Sequence, residues 1–165
     1  MEFKLRSWNF NDLESLVKYA NNYKIAKNLT NQFPHPYTRD NGEAFIAMAT
    51  KNDPLTIFAI EINGQAAGGI GLHPQQDIHC KNAELGYWLA EPYWGKGIIT
   101  QAIKQIVAYG FKTFEIDRIF ARPFENNIGS QKVLIKSGFI LEGKFDKVLY
   151  KNGEYLDELI YAVRK

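Results

Sequence analysis

A chain of 165 residues that is 45% hydrophobic, 14% aromatic and 23% charged has the size of one ordinary domain and a composition far from that of disordered chains. Twenty basic against eighteen acidic side chains leave a formal charge of +2, too even for a protein whose main task is neutralising a nucleic-acid backbone. The single cysteine, Cys80, excludes an intramolecular disulfide scaffold, and no apolar run approaches the roughly 20 residues of a membrane span. The alternating start Met1-Glu2-Phe3-Lys4-Leu5-Arg6 lacks the apolar stretch of a signal peptide. These features lead to the expectation of a single domain over residues 1–165, in the cytoplasm, with neither nucleic acid nor membrane as partner.

Phe3 to Arg6 reads as a short strand. Asn9 to Ala20 reads as a helix capped by Asn9 or Asn11, with Leu13, Leu16, Val17 and Ala20 on one face. Prolines 34 and 36 keep Phe33-Pro34-His35-Pro36-Tyr37 extended. A helix from about Asp40 to Thr50 follows, for which Asp40 and Glu43 have the spacing of a capping box. Leu55–Ile62 and Gln65–Leu72 flank Asn63-Gly64 as a hairpin, and Asn82–Leu89 is a further strand. The run Glu91-Pro92-Tyr93-Trp94-Gly95-Lys96-Gly97 leads into a long helical pattern through Ile98, Ala102, Ile106 and Phe111. Arg118–Arg122 is a strand, and Asn127–Ser137 is a helix stopped by Gly138. A second hairpin around Asn152-Gly153 closes the chain. The order β-α-α-β-β-β-α-β-α-β-β predicts an α+β fold on one mixed sheet.

The junction Trp94-Gly95-Lys96-Gly97-Ile98-Ile99-Thr100 places glycines between a strand and a helix. There the backbone can approach a ligand, and the first helical turn offers unpaired N–H groups at a positive dipole end. A phosphate or pyrophosphate fits this pattern, and so does a tight turn that needs glycine only for its own backbone angles. No Gly-Lys-Ser/Thr occurs, so it is not a P-loop, and Thr100 stands where a dinucleotide fingerprint has its third glycine. About thirty residues on, Asn127 and Ser130 open a helix, as caps or as ligand contacts.

Together these two motifs carry a resemblance. Glu84-Leu85-Gly86-Tyr87-Trp88-Leu89-Ala90-Glu91-Pro92-Tyr93-Trp94-Gly95-Lys96-Gly97, followed by Asn-x-x-Ser and then Gly138-Phe139, resembles the GNAT superfamily of acetyl-CoA-dependent N-acetyltransferases. Within it the RimJ/RimL-type branch is most similar, through Phe33-Pro34-His35-Pro36-Tyr37-Thr38, Leu141-Glu142-Gly143, Lys151-Asn152-Gly153 and Asp157. The resemblance covers nearly the whole chain. It implies a mostly antiparallel sheet with two strands splayed at the acetyl-CoA site. It also implies that Gly95, Lys96, Gly97, Ile99 and Thr100 hold the coenzyme pyrophosphate, that Trp88 and Leu89 lie beside the thioester, and that Asn127 and Ser130 contact the coenzyme. Trp94 replaces the superfamily's Gln/Arg, and Ile99 replaces its final small residue. A backbone contact tolerates both changes.

Acetyl transfer to an amine requires loss of a proton from the amine, stabilisation of the thioester oxygen and protonation of the leaving thiolate. The tyrosine that many members place seven residues after the asparagine is Leu134 here. The resemblance to the RimJ/RimL-type branch implies Ser130 in its place, as acid or as a hydrogen-bond donor to sulfur, and the Leu89 N–H as the group that polarises the carbonyl. Glu84 is the best-placed candidate base, the competing reading being a glutamate in a surface ion pair. Phe33, His35 and Tyr37 are candidates for the acceptor side or for the core. Lys96, Lys132 and Lys136 fit coenzyme phosphates or plain solvated charge. Asp77, His79 and Cys80 lack paired metal-ligand spacing, so no metal is expected. The expected reaction moves an acetyl group from acetyl-CoA to a primary amine, either a protein N-terminus or a small molecule. The alternatives are a catalytically silent acyl-CoA-binding module and a nucleotide-phosphate binder. A homodimer through a strand edge is compatible with the sequence.

Overall fold

Two Asn-Gly dipeptides shape the sheet. Asn63 and Gly64 take φ of 51° and 78°, and Asn152 and Gly153 take 51° and 80°, the mirror-image turn whose twist matches the strands it joins. The computed structural model describes residues 1–165. Its strands are β1 (Lys4–Arg6), β2 (Ile57–Ile62), β3 (Gln65–Pro74), β4 (Asn82–Leu89), β5 (Arg118–Ala121), β6 (Ile140–Lys151) and β7 (Glu154–Arg164). Its helices are α1 (Leu13–Ala20), α2 (Tyr23–Ala26), α3 (Arg39–Ala49), α4 (Ile98–Thr113) and α5 (Ile128–Lys136). The strands hydrogen-bond in the order β1-β2-β3-β4-β5-β7-β6. The β4/β5 pair is parallel, and β1/β2, β2/β3, β5/β7 and β6/β7 are antiparallel. This is the mixed, mostly antiparallel α+β sheet expected from the sequence. No helix is long and apolar enough to cross a membrane.

Met1–Gly71 with Tyr87–Ala102 form one compact unit, and Leu72–Gly86 with Ile103–Lys165 form another; β3, β4 and α4 contribute residues to both. In the first unit, Trp8, Leu16, Ile46 and Trp88 belong to one buried cluster. Next to it β3 reads Ala66-Ala67-Gly68-Gly69, and the small residues have a direct cause. A Cβ on Gly68 would lie 2.6 Å from the Trp88 carbonyl oxygen, and one on Gly69 would lie 2.8 Å from the Trp88 indole nitrogen. Only a bare backbone lets β4 come this close.

The first unit also contains a buried carboxylate. Asp12, 5% exposed, accepts two hydrogen bonds from the Arg6 guanidinium (2.8 and 2.7 Å) and a third from the Asn9 N–H (3.0 Å). Arg6 also pairs with Glu61, which stands opposite Lys4 in the β1/β2 ladder and diagonally from Arg6. Asn9 caps the 3₁₀ turn Phe10–Asp12 ahead of α1 by accepting the Asn11 N–H (2.9 Å).

Helix α3 departs from expectation at its start. Its cap is Thr38, whose hydroxyl accepts the Asn41 N–H (3.2 Å) while the Asn41 side chain accepts the Thr38 N–H (2.9 Å). Asp40 and Glu43 do not form the expected box. Thr38 is already extended (φ −96°, ψ 168°), so the helix begins at Arg39 and leaves Asp40 in the first turn, where its charge suits the dipole. Glu43 instead accepts from Arg39 one turn earlier (3.2 Å). The short α2 has no counterpart in the sequence reading, because four residues are too few to show a helical period.

In the second unit α5 ends as the sequence foretold. Gly138 takes φ 90°, the Phe139 N–H donates to the Leu134 carbonyl (3.0 Å) and the Gly138 N–H to that of Ile135 (3.0 Å). This is a Schellman ending, with Leu134 and Phe139 both buried. Towards the chain's end, Glu142 accepts from Arg118 (2.6 Å) and Arg164 (3.2 Å), and Asp157 accepts the Lys147 N–H (2.8 Å) and pairs with Lys144 (3.3 Å).

These carboxylates give stability a pH dependence. Arg118 holds Glu142 below the usual carboxylate range, the Lys147 N–H does the same for Asp157, and Lys4 followed by Arg6 for Glu61. A carboxyl whose folded pKa lies below its unfolded value adds stability that is fully present above the unfolded value and disappears as pH falls through the folded one. The melting temperature should therefore hold from pH 7 to about 5 and drop below about pH 4, the unfolded carboxylate range. Circular dichroism melts at stepped pH test this, and Glu142→Gln should make the acid limb shallower.

Candidate active site

In the first unit the candidate residues gather around the end of β4 and the loop beyond it. The loop is tied back by its own tryptophan: the Trp94 indole N–H donates to the Leu89 carbonyl (2.7 Å). The adjacent Ala90 N–H donates to the Ala67 carbonyl on β3 (2.8 Å). Gly95 and Gly97 then take φ of 73° and 75°, the left-handed region that suits glycine. A Cβ on either would meet nothing within 4 Å. The glycines therefore meet a backbone requirement and leave open space above the loop.

Gln101 donates its N–H to the Gly97 carbonyl (3.2 Å), the first intrahelical bond of α4. The amides of Gly97, Ile98, Ile99 and Thr100 precede it and have no partner four residues back, at the positive end of a helix of 16 residues. Open space over two exposed glycines, facing a row of backbone donors, fits the pyrophosphate that the sequence pattern suggested. Ile98 is buried and anchors the turn, while Ile99 and Thr100 are half-buried. The Lys96 ammonium lies 5.5 Å from the Tyr93 ring centre.

Trp88 and Leu89 are buried at 9% and 5% exposure. Phe33 packs edge-on against Trp88 (ring centres 5.8 Å apart) and beside Tyr37 (5.2 Å). Tyr37 belongs to the buried cluster, and burial pushes its hydroxyl up to about 12. Of the three aromatic acceptor candidates, Tyr37 is thus a core residue. His35 is exposed and rests against Tyr23 (5.6 Å). Glu91, just past β4, accepts from Asn22 (2.9 Å) and pairs with Lys24, which fixes α2 beside the loop.

In the second unit, Asn127 is the cap of α5, its side-chain oxygen accepting the Ser130 N–H (3.2 Å). Capping uses the Asn127 amide oxygen. Glu84 is held by Arg122 through both oxygens, Nε to Oε1 at 2.9 Å and Nη2 to Oε2 at 3.0 Å. Sequence reasoning missed Arg122. Its meeting with Glu84 follows from the parallel β4/β5 register, which sets Glu84 opposite Phe120 and brings Arg122, two residues on, to the same face. The β4/β5 pairing runs from Asn82↔Arg118 to Glu84↔Phe120. Strand β5 ends at Ala121, while β4 continues to Leu89.

Three comparisons with known proteins agree with this geometry. A family model described as "Acetyltransferase (GNAT) domain" matches residues 2–140. The putative ribosomal N-acetyltransferase YdaF of Bacillus subtilis is 37% identical over 103 residues, which are 62% of this chain and 56% of that protein. The ribosomal-protein-serine acetyltransferase of Escherichia coli is 37% identical over 82 residues, 50% of this chain and 46% of that one. The matches thus span about half the length of these two curated relatives. Among solved structures, the Microcin C7 self immunity acetyltransferase MccE in complex with acetyl-CoA and AMP superposes with a TM-score of 0.83 at 27% identity, covering 99% of this chain and 93% of that one.

Proposed function

Since the chain belongs to the acetyltransferase (GNAT) domain family, we propose that it transfers the acetyl group of acetyl-CoA to a primary amine, and that this amine is a protein N-terminus. The observation that carries the first part is the open glycine loop at the start of α4, with Gly95 and Gly97 at positive φ and the amides up to Thr100 unmatched within the helix. The second part is supported by the names of the two relatives, both of which are ribosomal-protein or ribosomal acetyltransferases.

Acetyl-CoA supplies an acyl group already activated as a thioester. The chain's part is to bind it, orient it and move protons. The loop amides, with Gly95, Lys96, Gly97, Ile99 and Thr100, take the pyrophosphate. Trp88 and Leu89 bound the acetyl end, with the Leu89 N–H directed to the carbonyl oxygen, where negative charge grows during the reaction. Asn127 and Ser130 contact the coenzyme, and the Ser130 hydroxyl hydrogen-bonds the departing sulfur. Glu84 takes the first proton from the acceptor ammonium, after which the nitrogen lone pair bonds to the acyl carbon and the C–S bond breaks. The second amine proton goes to the sulfur, so the products are an amide, a free thiol and one proton returned to solvent from Glu84.

Two measurements test this reading. Calorimetric titration should show saturable binding of acetyl-CoA and none of ATP; the reverse would make the loop a nucleotide site. With a short peptide bearing a free N-terminal serine, thiol release should follow turnover, and Glu84→Gln should lower kcat about 10²-fold, the usual worth of a general base, with coenzyme affinity retained. Tight acetyl-CoA binding with no thiol release to peptides or small amines would mark a silent acyl-CoA-binding module.

A further inference from the structure

The proposed role of Glu84 leaves the second member of its ion pair without a task. We propose that Arg122 is the positioning residue for Glu84, fixing the plane of its carboxylate so that a free lone pair on each oxygen faces the acceptor. This inference rests on the reading of Glu84 as the proton acceptor and adds a residue to it.

The geometry is that of a fork on a fork. Nε and Nη2 of Arg122 engage one oxygen each of Glu84 (2.9 and 3.0 Å), an arrangement that fixes orientation as well as distance. A carboxylate offers about four lone-pair sites. Arg122 uses two, and the rest remain for an incoming N–H. Glu84 is 26% exposed and Arg122 46%, so the pair is open to a solute.

Arg122 is itself held from behind. The next residue is Pro123, whose carbonyl accepts the Leu159 N–H (3.1 Å), and Phe124 bridges to Glu158 on β7. These bonds anchor the turn from which Arg122 projects. The third nitrogen, Nη1, lies 3.9 Å from a Glu158 carboxylate oxygen, so the guanidinium stands between two carboxylates. Glu84, followed by Glu158, holds Arg122 more firmly protonated than usual. His73 on β3 also feels this group: burial holds its imidazole below the usual range, and the Glu84 charge opposes that shift. An ion pair needed only for stability at a half-exposed site contributes little. A clamp that sets the angle of a proton acceptor contributes to rate, because small misplacements at a reacting centre are costly.

The test compares Arg122→Ala, Arg122→Lys and Glu84→Gln, singly and with Arg122→Ala/Glu84→Gln combined, using the serine peptide and acetyl-CoA. Arg122→Ala should lower kcat about 10- to 10²-fold while the calorimetric affinity for acetyl-CoA and the KM for the peptide stay within about twofold. Millimolar guanidinium should restore part of the lost kcat. Arg122→Lys keeps the charge without the fork, so it should fold and still be slow. The double variant should be no slower than Glu84→Gln alone. Overturning results are an unchanged kcat in Arg122→Ala, a loss confined to the peptide KM, full activity in Arg122→Lys, or independent losses that multiply in the double variant. If Glu84→Gln is slow and Arg122→Ala is not, only the clamp fails. If Glu84→Gln is as fast as the parent, the proton-acceptor reading itself fails.

Discussion

Gly97→Glu is expected to weaken acetyl-CoA binding at least 10²-fold while leaving the protein folded. Gly97 has φ 75° and nothing within 4 Å of where its Cβ would lie, so the new Cβ meets no protein atom and the side chain starts into the space assigned to the pyrophosphate. The penalty for a non-glycine residue in this left-handed conformation is about 1–2 kcal/mol, less than the roughly 5–15 kcal/mol of a typical native fold. A carboxylate placed against a pyrophosphate adds like-charge repulsion to the loss of room. Gly97→Ala separates the two effects, since it carries the backbone cost and a methyl group but no charge. Calorimetry with both variants, beside melting curves, makes the comparison. Equal affinities in parent and Gly97→Glu would remove the coenzyme from this loop.

The second large effect lies one strand away. Gly68→Ala should destabilise the protein by about 1–3 kcal/mol, the usual cost of overpacking, and reduce acetyl-CoA affinity as well. The added methyl would lie 2.6 Å from the Trp88 carbonyl oxygen and 3.2 Å from the Leu89 Cα. Both are backbone atoms, so no side-chain rotation relieves the contact and β4 itself must move. Trp88 and Leu89 are the residues proposed to bound the acetyl group, so the same displacement reaches the chemistry. Thermal melts and calorimetry read the two consequences separately. A variant as stable as the parent would show that β3 and β4 can separate freely at this point. Loss of stability with unaltered affinity would detach Trp88 and Leu89 from the coenzyme.

What could be read from the sequence was local in nature. The Asn63-Gly64 and Asn152-Gly153 turns, the Gly138 helix stop and the glycine loop before α4 each depend on a few adjacent residues whose backbone preferences are strong. The start of α3 was also local but ambiguous: Thr38 with Asn41 and Asp40 with Glu43 have the same spacing, and the choice was made by the extended backbone at Thr38. Arg6 with Glu61 and Arg122 with Glu84 were not legible at all. Each depends on where a strand is placed in the sheet, β1 against β2 in one case and β4 against β5 in the other. Such registers are settled by packing over the whole sheet. The candidate base was therefore identified from its strand position, and its partner only from the pairing.

The bond from Trp94 to the Leu89 carbonyl (2.7 Å) also makes the loop visible to light. The chain has three tryptophans; Trp8 and Trp88 are 2% and 9% exposed, and Trp94 is 43% exposed. Two indoles thus emit from a dry interior, and the third stands in water at the loop that leads into α4. A ligand settling on Gly95 and Gly97 changes the surroundings of that one emitter, and the red edge of the intrinsic fluorescence becomes a label-free gauge of loop occupancy.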